Sequence, residues 1–322
     1  MRRRRLCYIL AVNSRLLSES GGYCTCSEAT ADDFACVFYD DEYALCVEEF
    51  RRQLITATAL SSFIACVAMG FGANLPFALA PGMGLNAYFT YDVVGYHGTG
   101  KVKWQTAMAA IFIEGLLFVV LAVTGLRTKL AKAIPESVRI ATTGGIGMFL
   151  AHLGLQTAEG IGLVVTDVAT GVTLGGCPPD KRVYATYGSP VTADAYTCDV
   201  NGGQMESATT WIGIVTIALI AIMLKRKITG AIIIGMTFCT VISWFKGTKV
   251  SYFEDDVYPL AGGAGAAGGE YRWEYFKKVA HVETLDDVWF RWDFKDMHGA
   301  ELGVALITFL YVDLLDTTGT GA

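Results

Sequence analysis

Charge is the first thing this chain lacks. Of its 322 residues, 17% are Asp, Glu, Lys or Arg, against roughly 25% in soluble domains. With 53% hydrophobic residues and a mean hydropathy of +0.42, the deficit excludes an ordinary soluble domain and leaves a membrane protein. Also missing is a basic patch interleaved with aromatics, so nucleic acid is not expected as a partner. The formal net charge of -6 says little about partners, because the acidic residues collect in the long loops. Nine cysteines show no metal spacing: Cys24 and Cys26 lie one residue apart, without a second pair at zinc-like intervals. The glycines Gly144, Gly145 and Gly147 follow no strand and precede no Lys-Ser/Thr, which excludes a phosphate-binding loop. Nothing resembles a nucleophile–base constellation. An enzyme is therefore not expected, and neither is a cofactor.

What is present is a series of apolar runs. A span needs about 20 residues, at 1.5 Å each, to cross roughly 30 Å of hydrocarbon. Runs of that order lie at about 54–73, 75–94, 106–126, 138–155, 208–224 and 228–245. The opening run, about 6–17, is too short to cross. An eighth run starts near Gly299. The reading divides the chain into a seven-span unit at 1–245, a hydrophilic loop at 246–298 and the start of a second unit at 299–322. The Gly- and Ala-rich patch 261–269 reads as a flexible loop tip. Arg127, Lys129, Lys132 and Arg139, with Lys225, Arg226 and Lys227, fall on one side of the membrane if the N-terminus is cytoplasmic, as the positive-inside tendency requires. Arg51, Arg52, Lys101 and Lys103 run against it. On this topology Cys24, Cys26, Cys36 and Cys46 share one extracellular loop and Cys177 and Cys198 another, where disulfides can form. Connectivity stays open, and unpaired thiols are an equal alternative. Cys7, Cys66 and Cys239 fall in apolar runs and read as packing residues.

The run 74–90, NLPFALAPGMGLNAYFT, cannot be a plain membrane helix. Pro76 and Pro81 each remove a backbone donor and disfavour helix in the residue before them. Gly82 and Gly84 permit backbone geometry and close approach that side chains forbid. Phe77, Leu79 and Leu85 nevertheless keep the break at membrane depth. Irregular backbone survives there only where protein or a water-filled cavity satisfies its polar groups. Many transporters place substrate at such a break, facing the half-helix that follows. Asn86 lies one turn into that half-helix and offers an amide donor and acceptor to a polar ligand. Packing against another helix is its structural alternative.

The same run resembles the third span of the AzgA-like hypoxanthine/adenine/guanine permeases, a branch of the nucleobase transporter superfamily related to xanthine/uracil permeases. Three further segments agree with it in family order: YILAVN at 8–13, IPESVRIATTGGIGMF at 134–149 and FLYVDLLDTTGT at 309–320. The resemblance covers most of the spans. Its first segment argues against reading Arg2 to Arg5 and the apolar stretch after them as a cleaved signal peptide. It implies an all-α fold of two inverted seven-span repeats, of which this chain holds the first and a fragment of the second. Seven is odd, so a second copy would enter the membrane upside down, as in many secondary transporters. The resemblance further implies purine nucleobases (adenine, guanine, hypoxanthine) as substrates, protons as the coupling ion, and a plasma-membrane location.

Two carboxylates, Asp313 and Asp316, follow the apolar run 302–312. At membrane depth such a group costs about 2.5–3.5 kcal/mol on insertion scales, so its presence asks for a reason. A buried carboxylate can exchange protons near neutral pH and accept the N–H donors of a purine. Relatives across the superfamily carry an acidic residue followed by x-x-Gly in this span, a spacing that Asp316 and Gly319 fit and Asp313 does not. Gly84, Asn86 and Asp316 are therefore the expected substrate-binding residues, with Asp316 also coupling protons; Gly82, Asp313 and Thr317 are secondary candidates. Asn86 and Asp316 are expected to face one cavity with Cα atoms within about 15 Å, the reach of two side chains around a purine-sized ligand. Glu114, a lone carboxylate in the fourth run, reads as a satisfied interhelical hydrogen bond. His152 reads as meeting the interface or a neighbouring carbonyl. The three glycines at 144–147 read as a close helix contact.

Two other readings compete. In one, the chain is a truncated, non-transporting membrane fragment; its short first and eighth runs and single repeat lead to the expectation that it does not transport alone, unless two copies assemble as a homodimer. In the other it is an anion exchanger of related fold, which Asp316 opposes.

Overall fold

In the computed structural model, residues 7–25, 41–75, 78–100, 102–156, 160–167, 170–178, 181–184, 196–198, 203–254, 268–278, 283–285, 288–294 and 300–319 are described. Ten α-helices and four short strands are defined among them. Helix α1 (Cys7–Ser18) is followed by α2 (Asp41–Ala73), 33 residues and about 50 Å long. Asn74 ends α2 in a left-handed conformation at φ 53°, a cap that asparagine tolerates. After a non-helical stretch comes α3 (Met83–Tyr88), which continues as a π-helical turn (Phe89–Val93) and a 3-10 turn (Tyr96–Gly98). Then follow α4 (Trp104–Val123), α5 (Leu126–Ala133) and α6 (Glu136–Leu155). Beyond them lie α7 (Ala208–Lys225), α8 (Ala231–Ser243), α9 (Gly268–Phe276) and α10 (Ala300–Gly319).

Four described helices are long and apolar enough to cross a membrane: α2, α4, α6 and α7. Their outward faces suit lipid. On α4, Leu116, Leu117, Val119, Val120 and Val123 are exposed while Ala107, Ala110 and Glu114 turn inward. The chain is an integral membrane protein.

Several boundaries differ from the sequence expectation. The acidic, cysteine-bearing stretch ahead of residue 54 was expected as loop; its residues from Asp41 onward are helix and prolong α2. Their composition, DEYALCVEEFRRQ, is rich in helix-favouring Glu, Leu, Arg and Gln. The seventh run yields only 13 helical residues, because Gly230 at φ 96° and Lys227 at φ 58° form the turn after α7. The polar loop after α6 contains two antiparallel hairpins. One pairs β1 (Val164–Asp167) with β2 (Gly171–Leu174); the other pairs β3 (Arg182–Tyr184) with β4 (Tyr196–Cys198). Alternation of Val and Thr in β1 and β2 suits a pleated strand. The glycine-rich tip at 261–267 lies outside the described residues.

The chain forms two compact units: Met1–Thr25 with Cys46–Leu150 and Val282–Ala322, and Cys26–Leu45 with Ala151–His281. The first unit's core gathers Phe50, Leu54, Phe89, Val94, Trp104 and Phe309. Phe50 meets Tyr23 and Trp104 edge-on, at ring-centroid distances of 5.3 and 5.5 Å, the arrangement favoured by aromatic quadrupoles. A disulfide joins Cys24 to Cys46 in this unit. In the second unit Cys177 pairs with Cys198 beside the buried Val165. Cys26 and Cys36 lie outside the described residues, as does the side chain of Cys7.

Candidate functional site

The break is built from the first unit alone. Helix α2 stops at Ala73, α3 begins at Met83, and the described residues between them are not helical. Their backbone needs partners at this depth, and Cys66 on α2 supplies one. Its thiol sulfur accepts from the Leu79 N–H at 3.2 Å, and the S–H lies 3.5 Å from the Leu79 carbonyl. Cys66 was expected as a packing residue; it is a hydrogen-bonding partner of the irregular backbone, as its weak donor and acceptor allow. Pro76 and Phe77 lie outside the described residues.

Asn86 sits half-buried in α3, its backbone N–H donating to the Gly82 carbonyl at 3.3 Å. Its side-chain amide donates to the Asn13 carbonyl oxygen on α1. Asn13, only 2% exposed, donates in turn to the Thr58 hydroxyl on α2 at 2.9 Å. A polar relay therefore ties three helices to Asn86 and fixes the plane of its amide. Because the nitrogen is engaged by Asn13, the Asn86 carbonyl oxygen keeps its lone pairs for a ligand N–H.

The two glycines ahead of Asn86 do not show the conformational need expected of them. Gly82 caps α3 at φ -74° and ψ 123°, ordinary extended backbone. A Cβ on Gly84 would meet only the Ile146 side chain, at 3.9 Å. Proline chemistry and the Asn74 cap interrupt the helix without them. The glycines at 144, 145 and 147 differ as well: a Cβ on any of them would meet nothing within 4 Å. They lie on an open face of α6 instead of at a close helix contact.

Helix α3 packs on α10, the element that carries the aspartates. Tyr88 meets Phe309 edge-on at 5.4 Å, and Phe89 lies 6.5 Å from the same ring. Tyr88 is within hydrogen-bonding reach of Thr308 and Asp92. Asp313 is half-buried on α10. Asp316 and Thr317 belong to the helix, but their side chains lie outside the described residues, as does any shared cavity with Asn86.

Glu114 departs most from its expected role. It is 4% exposed, and its Oε1 has no hydrogen-bond partner. Helices α4 and α10 pack together, and Asp313 acts on Glu114 electrostatically. On α6, His152 meets the Gln156 amide, Nε2 to Nε2 at 2.8 Å. Among the described residues no group of His, Cys, Asp and Glu could hold a metal ion.

Residues 37–175 match the model of a permease family. Along 98% of its length the chain is 41% identical to a Schizosaccharomyces pombe protein provisionally named a xanthine/uracil permease, covering 46% of that protein. It is 37% identical to an Aspergillus versicolor efflux pump, over 98% of this chain and 51% of the relative. A guanine/hypoxanthine permease of Bacillus subtilis is 32% identical over 61% of this chain and 38% of its own. The chain is similar to permeases, nucleobase permeases among them. These relatives are named as transporters, not enzymes, and the chain spans about half the length of the curated relatives it matches.

Sequence reasoning missed Asn13, Thr58 and Cys66 as partners of the break. Asn13 stood at the end of the YILAVN segment, a usable signal. Nothing marked Thr58.

Proposed function

We propose that this protein, in its full-length context, serves purine nucleobase transport, with adenine, guanine and hypoxanthine as substrates and protons as the coupling ion, at the plasma membrane. The observation that carries the reading is the amide relay Thr58–Asn13–Asn86 at the helix break. It holds an amide carbonyl ready to accept a ring or amine N–H, and the nucleobase permeases among the relatives support a purine as the donor. Asn86 and Asp316 contact the base, Gly84 lies in the same binding region, and Asp316 takes the proton. Gly82, Asp313 and Thr317 are nearby secondary positions. Packing of α3 on α10 supports bringing the two elements to one site.

On this reading α1, α2, the break with α3, α4, α6, α7 and α8 form the first seven-span repeat, and α10 opens the second. A homodimer is a further proposal, as is the need for a second repeat to complete alternating access. Uptake of radiolabelled hypoxanthine by purine-transport-deficient cells expressing the chain together with a second repeat tests the function. The expected result is saturable uptake that excess adenine or guanine inhibits and that collapses when the proton gradient is dissipated. Uptake no greater than in empty-vector cells removes the reading in favour of a non-transporting fragment.

A further inference from the structure

Helices α7 and α8 pack as an antiparallel hairpin whose two ends differ in chemistry. At one end the turn between them carries Lys225, Arg226 and Lys227, all exposed. Gly235 fixes the register of the pair, since it lies against Ile220 and Thr216 with no room for a Cβ. Trp244 stands nine residues further along α8, about 13.5 Å at 1.5 Å per residue. The same distance back along α7 from Ile220 and Thr216 reaches residues 207–211. Trp244 is therefore level with the start of α7. The 18 residues of α7 measure about 27 Å, close to the roughly 30 Å of hydrocarbon. With the basic turn among the headgroups of one leaflet, the Trp244 end falls at the opposite boundary of the bilayer.

Aromatic rings collect at that end. The Tyr252 N–H donates to the Ser243 carbonyl at 2.9 Å, which folds the loop after α8 back onto the helix end. The buried Phe253 then meets Trp273 and Phe276 of α9, at ring-centroid distances of 5.1 and 5.3 Å. Phe276 in turn meets Trp244 at 5.3 Å. Edge-on ring packing thus holds α9 against the hairpin. The outer surface of the cluster is uncovered: Trp244, Phe245 and Phe276 are 47%, 63% and 47% exposed. It continues the apolar face of α8, where Ile234, Phe238 and Val241 are exposed as well. The Lys246 ammonium lies over the Trp273 ring at 4.2 Å. Tryptophan with a neighbouring cation suits the membrane–water boundary, where one side is apolar and the other wet.

We propose that α9 is an interfacial helix: Phe276, with Trp244 and Phe245, rests in the headgroup–acyl boundary of the phospholipid bilayer, on the side away from Lys225 to Lys227. Lipid is the occupant because the rings lie at the depth where the outward face of α8 leaves the hydrocarbon, and they prolong that face without a break. This placement uses the geometry of the second unit alone and does not rest on the transport reading.

Tryptophan emission of the purified chain in lipid nanodiscs tests it. The signal of Trp244 is the difference between the unsubstituted chain and Trp244→Phe; Phe276→Trp adds a reporter on α9. A ring about 5–10 Å into the boundary is within reach of lipids brominated near the top of the acyl chain, so each difference signal should fall about twofold or more in such lipids. Should Trp244→Phe fail to insert, Phe276→Trp decides alone. Difference signals that brominated lipid leaves unchanged overturn the proposal. Quenching by aqueous acrylamide would then mean that the rings face water, and quenching by neither agent that a second copy or another protein segment covers them.

Discussion

Asn86 owes its orientation to Asn13, and that dependence can be measured. Asn13→Ala removes two buried hydrogen bonds, one to Thr58 and the one that holds the Asn86 amide; losing the latter costs about 0.5–1.5 kcal/mol in holding that amide, so purine affinity in the proposed transporter should weaken by roughly two- to tenfold. Asn86→Ala should weaken it further, since the contact itself is lost, while surface expression stays near normal. Uptake kinetics with surface labelling separate the two effects. A second residue-scale prediction concerns Gly22, at φ +58°, where a Cβ would lie 2.4 Å from the Phe50 ring. Gly22→Ala meets both a disfavoured conformation and a crowded ring, and should cost about 1–3 kcal/mol. A lowered thermal midpoint of the detergent-solubilised chain would show it; an unchanged midpoint would mean the turn is not held by Phe50.

At the scale of elements, each disulfide closes a loop of about twenty residues, with sequence separations of 22 and 21. Cross-links of that length contribute about 3 kcal/mol. Replacing Cys24 and Cys46 by Ser should therefore lower the thermal midpoint, and the mobility difference between reduced and unreduced chain should shrink. The turn after the π-helical segment offers a pH test. Burial, and secondarily Arg15, push the His97 imidazole down to about 3. The folded state thus favours neutral His97, a stabilisation fully present above about pH 6.5 and lost as pH falls from there towards 3. His97→Asn, which tolerates the left-handed backbone at φ 48°, should flatten that acid-side loss in a thermal-midpoint series. Long apolar helices were the most legible elements, since a twenty-residue run has one structural outcome in a membrane. The hairpins were not legible, because Gly-, Thr- and Asp-rich sequence is shared by strands, turns and coil. The part of helix α2 ahead of residue 54 was hidden by its charge, which forbids a span but not a helix.

For the whole molecule, sequence pattern led to the resemblance and to the expectation of an interrupted helix, because proline acts on the backbone locally. It did not lead to what satisfies the interruption. Cys66, Asn13 and Thr58 come to the break from other helices, and only their packing in three dimensions makes them partners. Glu114 was visible as a carboxylate in an apolar run, but that its Oε1 is buried without a hydrogen-bond partner depends on the packing around it. The central claim is that Asn86 and Asp316 act at one purine site. Initial rates of radiolabelled hypoxanthine uptake, measured against substrate concentration and pH for the chain together with a second repeat, unsubstituted or carrying Asn86→Ala or Asp316→Asn, at matched surface expression, test it most directly. The account predicts a raised KM for Asn86→Ala, and for Asp316→Asn a rate at least tenfold lower that no longer follows pH. Kinetics and pH dependence unchanged in both variants would contradict it.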